Sequence, residues 1–343
     1  MIPDDSNNGA GLARPFAKHS RLWRVATKWL QLVNGAFRSR VLRLIFGLCV
    51  VVGALLILAR NSVAIGLTIS SLNVSLLLSL SGLHLVSFLL WYLAWVNSLK
   101  AQYPIEWKRD LRIYSLTTLF RNIPLGAQLW NFIGRPAEYV RSGLDPVRIY
   151  LALSGEVFAQ VLSGSVVALA FLAATMIQGR FLPTTSTSFT PAIALLALPS
   201  VVIIACLFWA YKQGRIGTRG IVTQLRRSLV SAVLVSPSWL VATIMLRAFM
   251  AEASSNQFSI AEIGAAWTLS STAGILLGFL PVPTRGLGEL SLAYQLGARN
   301  STDPIVGQLI VFLLVLSSLE IMTSLLVLAA LGLASHASNR ATR

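Results

Sequence analysis

Charge is what this sequence has least of. Only 12% of its 343 residues are charged, and acids are the scarcer kind, with 12 Asp and Glu against 28 Lys and Arg. Soluble domains carry about 25% charged residues. That shortage, with 55% hydrophobic residues, excludes an ordinary soluble globule and points to an integral membrane protein. Cysteine is nearly absent: Cys49 and Cys206 stand alone in separate apolar runs, which excludes a disulfide framework. No His/Cys/Asp cluster has metal-ligand spacing, and no Ser/His/Asp set stands out, so neither a metal nor another cofactor is expected. A net charge of +16 would suggest nucleic acid in a soluble chain. Here most of the excess lies in the N-terminal arm and in loops beside apolar runs, where the positive-inside rule accounts for it. No nucleic-acid partner is expected.

Residues 1–43 form a basic arm, with Arg14, Lys18, Arg21, Arg24, Lys28, Arg38, Arg40 and Arg43 against Asp4 and Asp5 alone. Leu22, Val25, Ala26, Trp29 and Val33 share a helical face there, a pattern suited to the interface of an anionic leaflet. A tail with weak helical tendency is the plainer reading. A signal peptide fits less well, because no small-residue cleavage site follows the long basic region. The N-terminus is expected in the cytoplasm.

Seven apolar runs follow: Leu44–Ala59, Val74–Val96, Ile149–Ile177, Ala192–Tyr211, Leu229–Met250 bent at Pro237, Ile263–Leu280 and Ile305–Leu333. They predict an all-α polytopic transmembrane helix bundle of about seven spans (six to eight) over residues 44–333, with 334–343 as a tail. Asn61–Asn73 reads as a connection, and Trp91, Tyr92 and Trp95 as an interfacial aromatic belt. Lys212–Arg227 is expected inside, and Gly179–Thr190 and Ala251–Glu262 outside. An odd count leaves the tail, with Arg340 and Arg343, external. That conflicts with the charge rule and suggests that one broken segment crosses partway.

Two breaks organise the pattern. The first, Ile123-Pro124-Leu125-Gly126, lies between Arg121 and Arg135; the second, Pro281 to Glu289, holds Pro283, Arg285, Gly286 and Gly288. Proline removes a backbone donor and glycine opens conformations closed to other residues. Broken backbone is tolerated at membrane depth only inside protein or beside a wet cavity, so either segment can re-enter rather than cross. A helix starting near Leu287 would offer Arg285 and free N–H groups to an anion such as phosphate. Each break precedes a long apolar run containing a glutamate, Glu156 or Glu320. Paired interrupted segments point to a transporter's substrate site. Counting crossings places both breaks near the cytoplasmic side, a parallel arrangement. Plain cytoplasmic loops are the competing reading. Glu320, in mid-span where a charge costs about 3 kcal/mol, is expected to be protonated or paired with an arginine. His84 is a further intramembrane candidate, more simply explained by a hydrogen bond to a neighbouring helix.

These residues carry a resemblance. Arg121-Asn122-Ile123-Pro124-Leu125-Gly126 with Trp130, Gly134 and Arg135, then Gly143-Leu144-Asp145 before the Glu156 span, then Pro281 to Glu289, are similar in order and spacing to motifs of the lysylphosphatidylglycerol synthase transmembrane-region family. The likeness covers about residues 44–333. Three departures stand out: Arg285 replaces a usual first glycine, Glu289 follows Gly288 without a gap, and Val157 follows Glu156 where an arginine is frequent. The resemblance implies the flippase-like membrane module without the aminoacyltransferase domain, in a bacterial inner membrane. Its implied partners are anionic or phosphate-bearing lipids, with an oligomer or a partner enzyme of lipid or glycan modification in view. The substrate-binding set it implies, with the breaks, is Arg121, Pro124, Gly126, Arg135, Glu156, Arg285, Gly286, Gly288, Glu289 and Glu320, with arginines attracting phosphate and glutamates pairing with arginines, an amino group or a proton.

Two other classes compete with a flippase. A membrane-embedded glycosyltransferase generally needs an acid in an outer loop near its first span, and Asn61–Asn73 has none. An accessory subunit of a lipid- or polysaccharide-modifying complex needs no chemistry at all. No catalytic constellation is found, so the chain is expected not to be an enzyme.

Overall fold

The computed structural model describes residues 59, 62–121, 134–179, 218–253, 258–277, 291–298 and 303–341. Outside them lie the basic arm, the first run apart from Ala59, the fourth run Ala192–Tyr211, nearly all of the Gly179–Thr190 loop, residues 212–217, and the break residues themselves. All regular structure among the described residues is helical. We number the helices α1 (Ser62–Ser71), α2 (Val74–Leu99), α3 (Trp107–Arg121), α4 (Arg135–Arg141), α5 (Pro146–Ile177), α6 (Thr218–Ala253), α7 (Ile260–Leu277) and α8 (Pro304–Ala341). Four stretches among the described residues are long and apolar enough to cross a membrane: Val74–Leu99, Pro146–Ile177, Arg219–Glu252 and Pro304–Leu333.

Three expectations need correction. Ser62–Ser71 is not a connection but helix α1, uncharged and packed so closely on α8 that a Cβ at Gly307 would lie 2.5 Å from the Ala64 Cβ. Residues 218–227, expected as loop, form the first turns of α6. Their Arg and Gln stems suit a helix extended beyond an apolar span. The aromatic belt is largely core: Tyr92 and Trp95 are buried, and Trp91 meets Trp239 edge-on with ring centroids 5.6 Å apart. Aromatic rings near a helix end serve an interface or a core equally well.

The helix directions follow from side-chain contacts. Helices α2 and α6 run antiparallel. Asn73, which caps α2 by accepting from the Leu76 N–H, donates to Glu252 at 2.8 Å. At the opposite ends Asn97 donates to the Arg227 carbonyl and the Ser231 hydroxyl at 2.8 and 2.9 Å. Helix α5 lies parallel to α6: Gly155 approaches Gln224 and Ser228, and farther along the Trp239 indole donates to Ser163 at 2.9 Å. Helix α8 starts beside the end of α6, where Phe312 meets Phe249 at 5.3 Å, and farther along lays Val327 against the cluster of Trp95, Leu99 and Ile149.

Two helical hairpins hang on this frame. Helix α3 starts at the Lys100 end and runs inward along α2: Trp107 contacts Tyr92, and Tyr114 reaches Phe88 at 5.4 Å. Helix α4 returns, and the segment closes where the Tyr103 hydroxyl meets both the N–H and the C=O of Asp145, at 2.7 and 3.1 Å. Helix α7 enters from the other end. Gly264 lies against Phe171, and Thr272 reaches Gly164 farther in. The helical turn 291–295 starts beside Ser270, and Leu296 and Ala298 rejoin the cluster of Met245, Met250 and Ile263.

The arms flanking the two breaks therefore enter from opposite ends, not from one side. The expectation that both breaks lie near the cytoplasmic side falls on residues outside the described ones. The same topology carries α8 back toward the Lys100 end. Charge divides the same way. Lys100, Lys108, Arg109, Arg112, Arg141, Arg148, Arg219, Arg226 and Arg227 outnumber Glu106, Asp110, Glu138 and Asp145 at one end; Glu252, Glu262 and Asp303 mark the other, with Arg247 more than a turn inside.

Candidate functional site

Where the first hairpin meets α5, the bundle buries an ion pair. Arg135 opens α4, next to Pro136, and Glu156 lies ten residues into α5, about 15 Å along its axis at 1.5 Å per residue. The Arg135 Nη1 donates to Glu156 Oε2 at 2.7 Å, with the side chains 4% and 3% exposed. Arg135 Nε points to the Thr117 hydroxyl at 3.4 Å, and Gln160 Nε2 donates to the other carboxylate oxygen at 3.2 Å. The guanidinium carbon lies 4.7 Å from the Trp95 ring centroid and 4.8 Å from that of Tyr114. Desolvated cation–π contacts contribute about 2 kcal/mol each. They let aromatic faces replace part of the water this cation has lost.

The layer toward the Lys100 end holds the site in place. Trp95 Nε1 donates to the Tyr139 hydroxyl at 3.1 Å. Burial, helped by the charge of Asp110, pushes the Tyr139 phenol above its ordinary pKa, so it stays protonated. Asp110 is itself fully buried; it accepts from the Glu106 N–H at 2.8 Å, capping α3, and from Arg109 Nε at 3.1 Å. Arg109 in turn lies over the Tyr139 ring at 5.9 Å. The result is a charge-balanced, tightly packed cluster built from α2, α3, α4 and α5.

The structure thus brings together two of the sequence-predicted residues, Arg135 and Glu156. Glu320 is half-buried on α8, a helix that packs against α3 of the first hairpin. Pro124, Gly126, Arg285, Gly286, Gly288 and Glu289 lie outside the described residues, as does the side chain of Arg121. His84 is buried on α2. Among the described residues no group of three His, Cys, Asp or Glu could hold a metal ion. Sequence reasoning missed Trp95, Tyr114, Thr117 and Gln160. Their signal was present only as spacing: Tyr114 and Thr117 share a helix face, as do Glu156 and Gln160.

The second hairpin carries a neutral cluster instead. Gln295 Nε2 donates to the Ser270 and Ser291 hydroxyls at 3.1 and 3.0 Å, and these two lie 3.4 Å apart. Compared with known proteins, the chain matches no family model, no curated protein and no solved structure.

Proposed function

We propose that the chain is a lipid flippase, moving a phosphate-bearing lipid, a phospholipid or a polyprenyl phosphate, across a bacterial inner membrane. The observation that carries this reading is the pair of hairpins entering from opposite ends, each leading into a long helix with an interior glutamate. Inverted elements with Pro/Gly-interrupted arms form substrate sites near the bilayer midplane, and rocking of one half against the other exposes such a site to each side in turn. In this reading the hairpins re-enter, about seven spans complete the bundle, and the chain is the membrane module that the family resemblance implies. The basic end faces the cytoplasm. The N-terminus lies there too, and a lipid- or glycan-modifying enzyme is the partner this role calls for.

In this mechanism Arg285, at the second break, grips the phosphate, and the Arg135–Glu156 pair offers a cation and an anion that a headgroup can exchange for its own charges. Lysine at position 285 keeps the charge but loses the planar fork that binds phosphate through two parallel bonds. The test is dithionite quenching of fluorescent anionic phospholipid in proteoliposomes. Wild type should expose inner-leaflet lipid faster than empty vesicles, with rates falling in the order Arg, Lys, Ala at position 285. If wild type does not accelerate exposure, the flippase reading fails. If Arg285→Lys and Arg285→Ala both match wild type, the phosphate site leaves this break.

A further inference from the structure

The neutral cluster of the second hairpin leaves hydrogen-bonding capacity unused. Gln295 spends one amide atom on Ser270 and Ser291, while its other, Oε1, is buried with no hydrogen-bond partner among the described residues. Turning the amide over would only exchange the two atoms, so one of them stays unpaired in either orientation. One turn before Ser270, on the same face of α7, the Trp267 indole Nε1 is likewise buried without a partner among the described residues, its ring edge-on to Phe312 at 5.7 Å. Ser270 itself is 3% exposed. Native proteins rarely leave buried polar atoms unpaired, because each forfeits the hydrogen bonds it made in water. A donor from tryptophan, an amide atom and two hydroxyls form a neutral set beside an aromatic ring.

A phosphate would find no cation in this set, and an ammonium no anion. A hydroxyl group, which both donates and accepts, matches it, and the indole presents an apolar face to the C–H side of a ring polyol. We propose that Trp267, Ser270, Ser291 and Gln295 form a subsite for the hydroxyl-bearing part of the lipid headgroup, a sugar or cyclic polyol. This rests on the lipid-transport reading and adds a selectivity to it: phosphate is held by charge elsewhere, and the polyol by this neutral cluster.

The experiment is retention of lipid by the purified full chain, read by native mass spectrometry with two competing pairs of identical acyl chains. Phosphatidylinositol against phosphatidic acid varies the polyol on a phosphate; glucosyl diacylglycerol against diacylglycerol varies it without one. Wild type should prefer the polyol member of each pair about tenfold, the loss expected for one or two hydrogen bonds. Trp267→Phe keeps the ring and removes only the N–H. Gln295→Leu keeps the bulk and removes the amide. Each should reduce the preference severalfold while phosphatidic acid retention stays unchanged. A preference confined to the glycolipid pair, lost in the variants, supports the subsite and counts against the phosphate site. Absence of preference in both pairs, or a preference that survives both substitutions, overturns the proposal.

Discussion

Arg135→Ala should cost the protein about 3–5 kcal/mol of stability, because it leaves the Glu156 carboxylate, 3% exposed, buried without its counter-ion. Glu156→Gln should cost a comparable amount. The amide offers one acceptor oxygen where the carboxylate offered two, so its NH2 faces one of the two donors, Arg135 or Gln160, and the cation between Trp95 and Tyr114 loses the charge that balances it. The pair replaced together by apolar residues of similar volume, Arg135→Met with Glu156→Leu, should recover most of the loss, since the desolvation penalty of both ions then disappears. Unfolding in a sodium dodecyl sulfate titration reads these differences. Transport separates structure from function. If the pair is part of the substrate path, the double variant regains stability while lipid movement stays abolished. A double variant that is both stable and active would reduce the pair to packing.

The ion pair also shows how much of the site was legible in the sequence. Arg135 beside the first break and Glu156 in the next apolar run were visible as charges where charge is expensive. A pairing of glutamate with arginine followed from that cost. Which arginine was not visible, because Arg121, Arg135 and Arg285 all stand in or near the breaks in the sequence. The return of α4 antiparallel to α3, closed by Tyr103 and Asp145, is what selects Arg135. Direction of entry was illegible for a similar reason: an interrupted apolar segment has the same composition whether it crosses or turns back. The long helices α2, α5 and α8 were plain as apolar runs, whereas α1 and the first turns of α6 read as connections because short or charged stretches carry no such signal. Ser270, Ser291 and Gln295 gave no signal, because small polar residues are ordinary inside transmembrane helices.

Gly164 should tolerate no side chain. A Cβ there would lie 2.3 Å from the Thr272 hydroxyl and 3.0 Å from the Trp239 ring, so α5, α6 and α7 meet closely at this position. Tryptophan cannot retreat, because its indole is hydrogen-bonded to Ser163 at 2.9 Å and packed on Trp91. Gly164→Ala should therefore cost about 1–3 kcal/mol through overpacking, and Gly164→Val more. Thr272→Ala, which removes the closest atom, should restore part of the loss when combined with Gly164→Ala, a coupling a double-mutant cycle measures. Because this contact seats the second hairpin on α5, the single variants should also slow lipid exposure in proteoliposomes. Equal stability of Gly164→Val and wild type would mean that the three helices do not approach as closely as described.

The central claim is that the two hairpins open toward opposite sides of one membrane. It is tested by single cysteines at exposed positions at their mouths, Ser142→Cys beside the first and Ile260→Cys beside the second, in a chain freed of Cys49 and Cys206. A membrane-impermeant maleimide applied to intact cells should label residue 260 and leave residue 142 unlabelled until the membrane is opened. Labelling of both positions from the same side would contradict the inverted arrangement and, with it, the transport mechanism built on it.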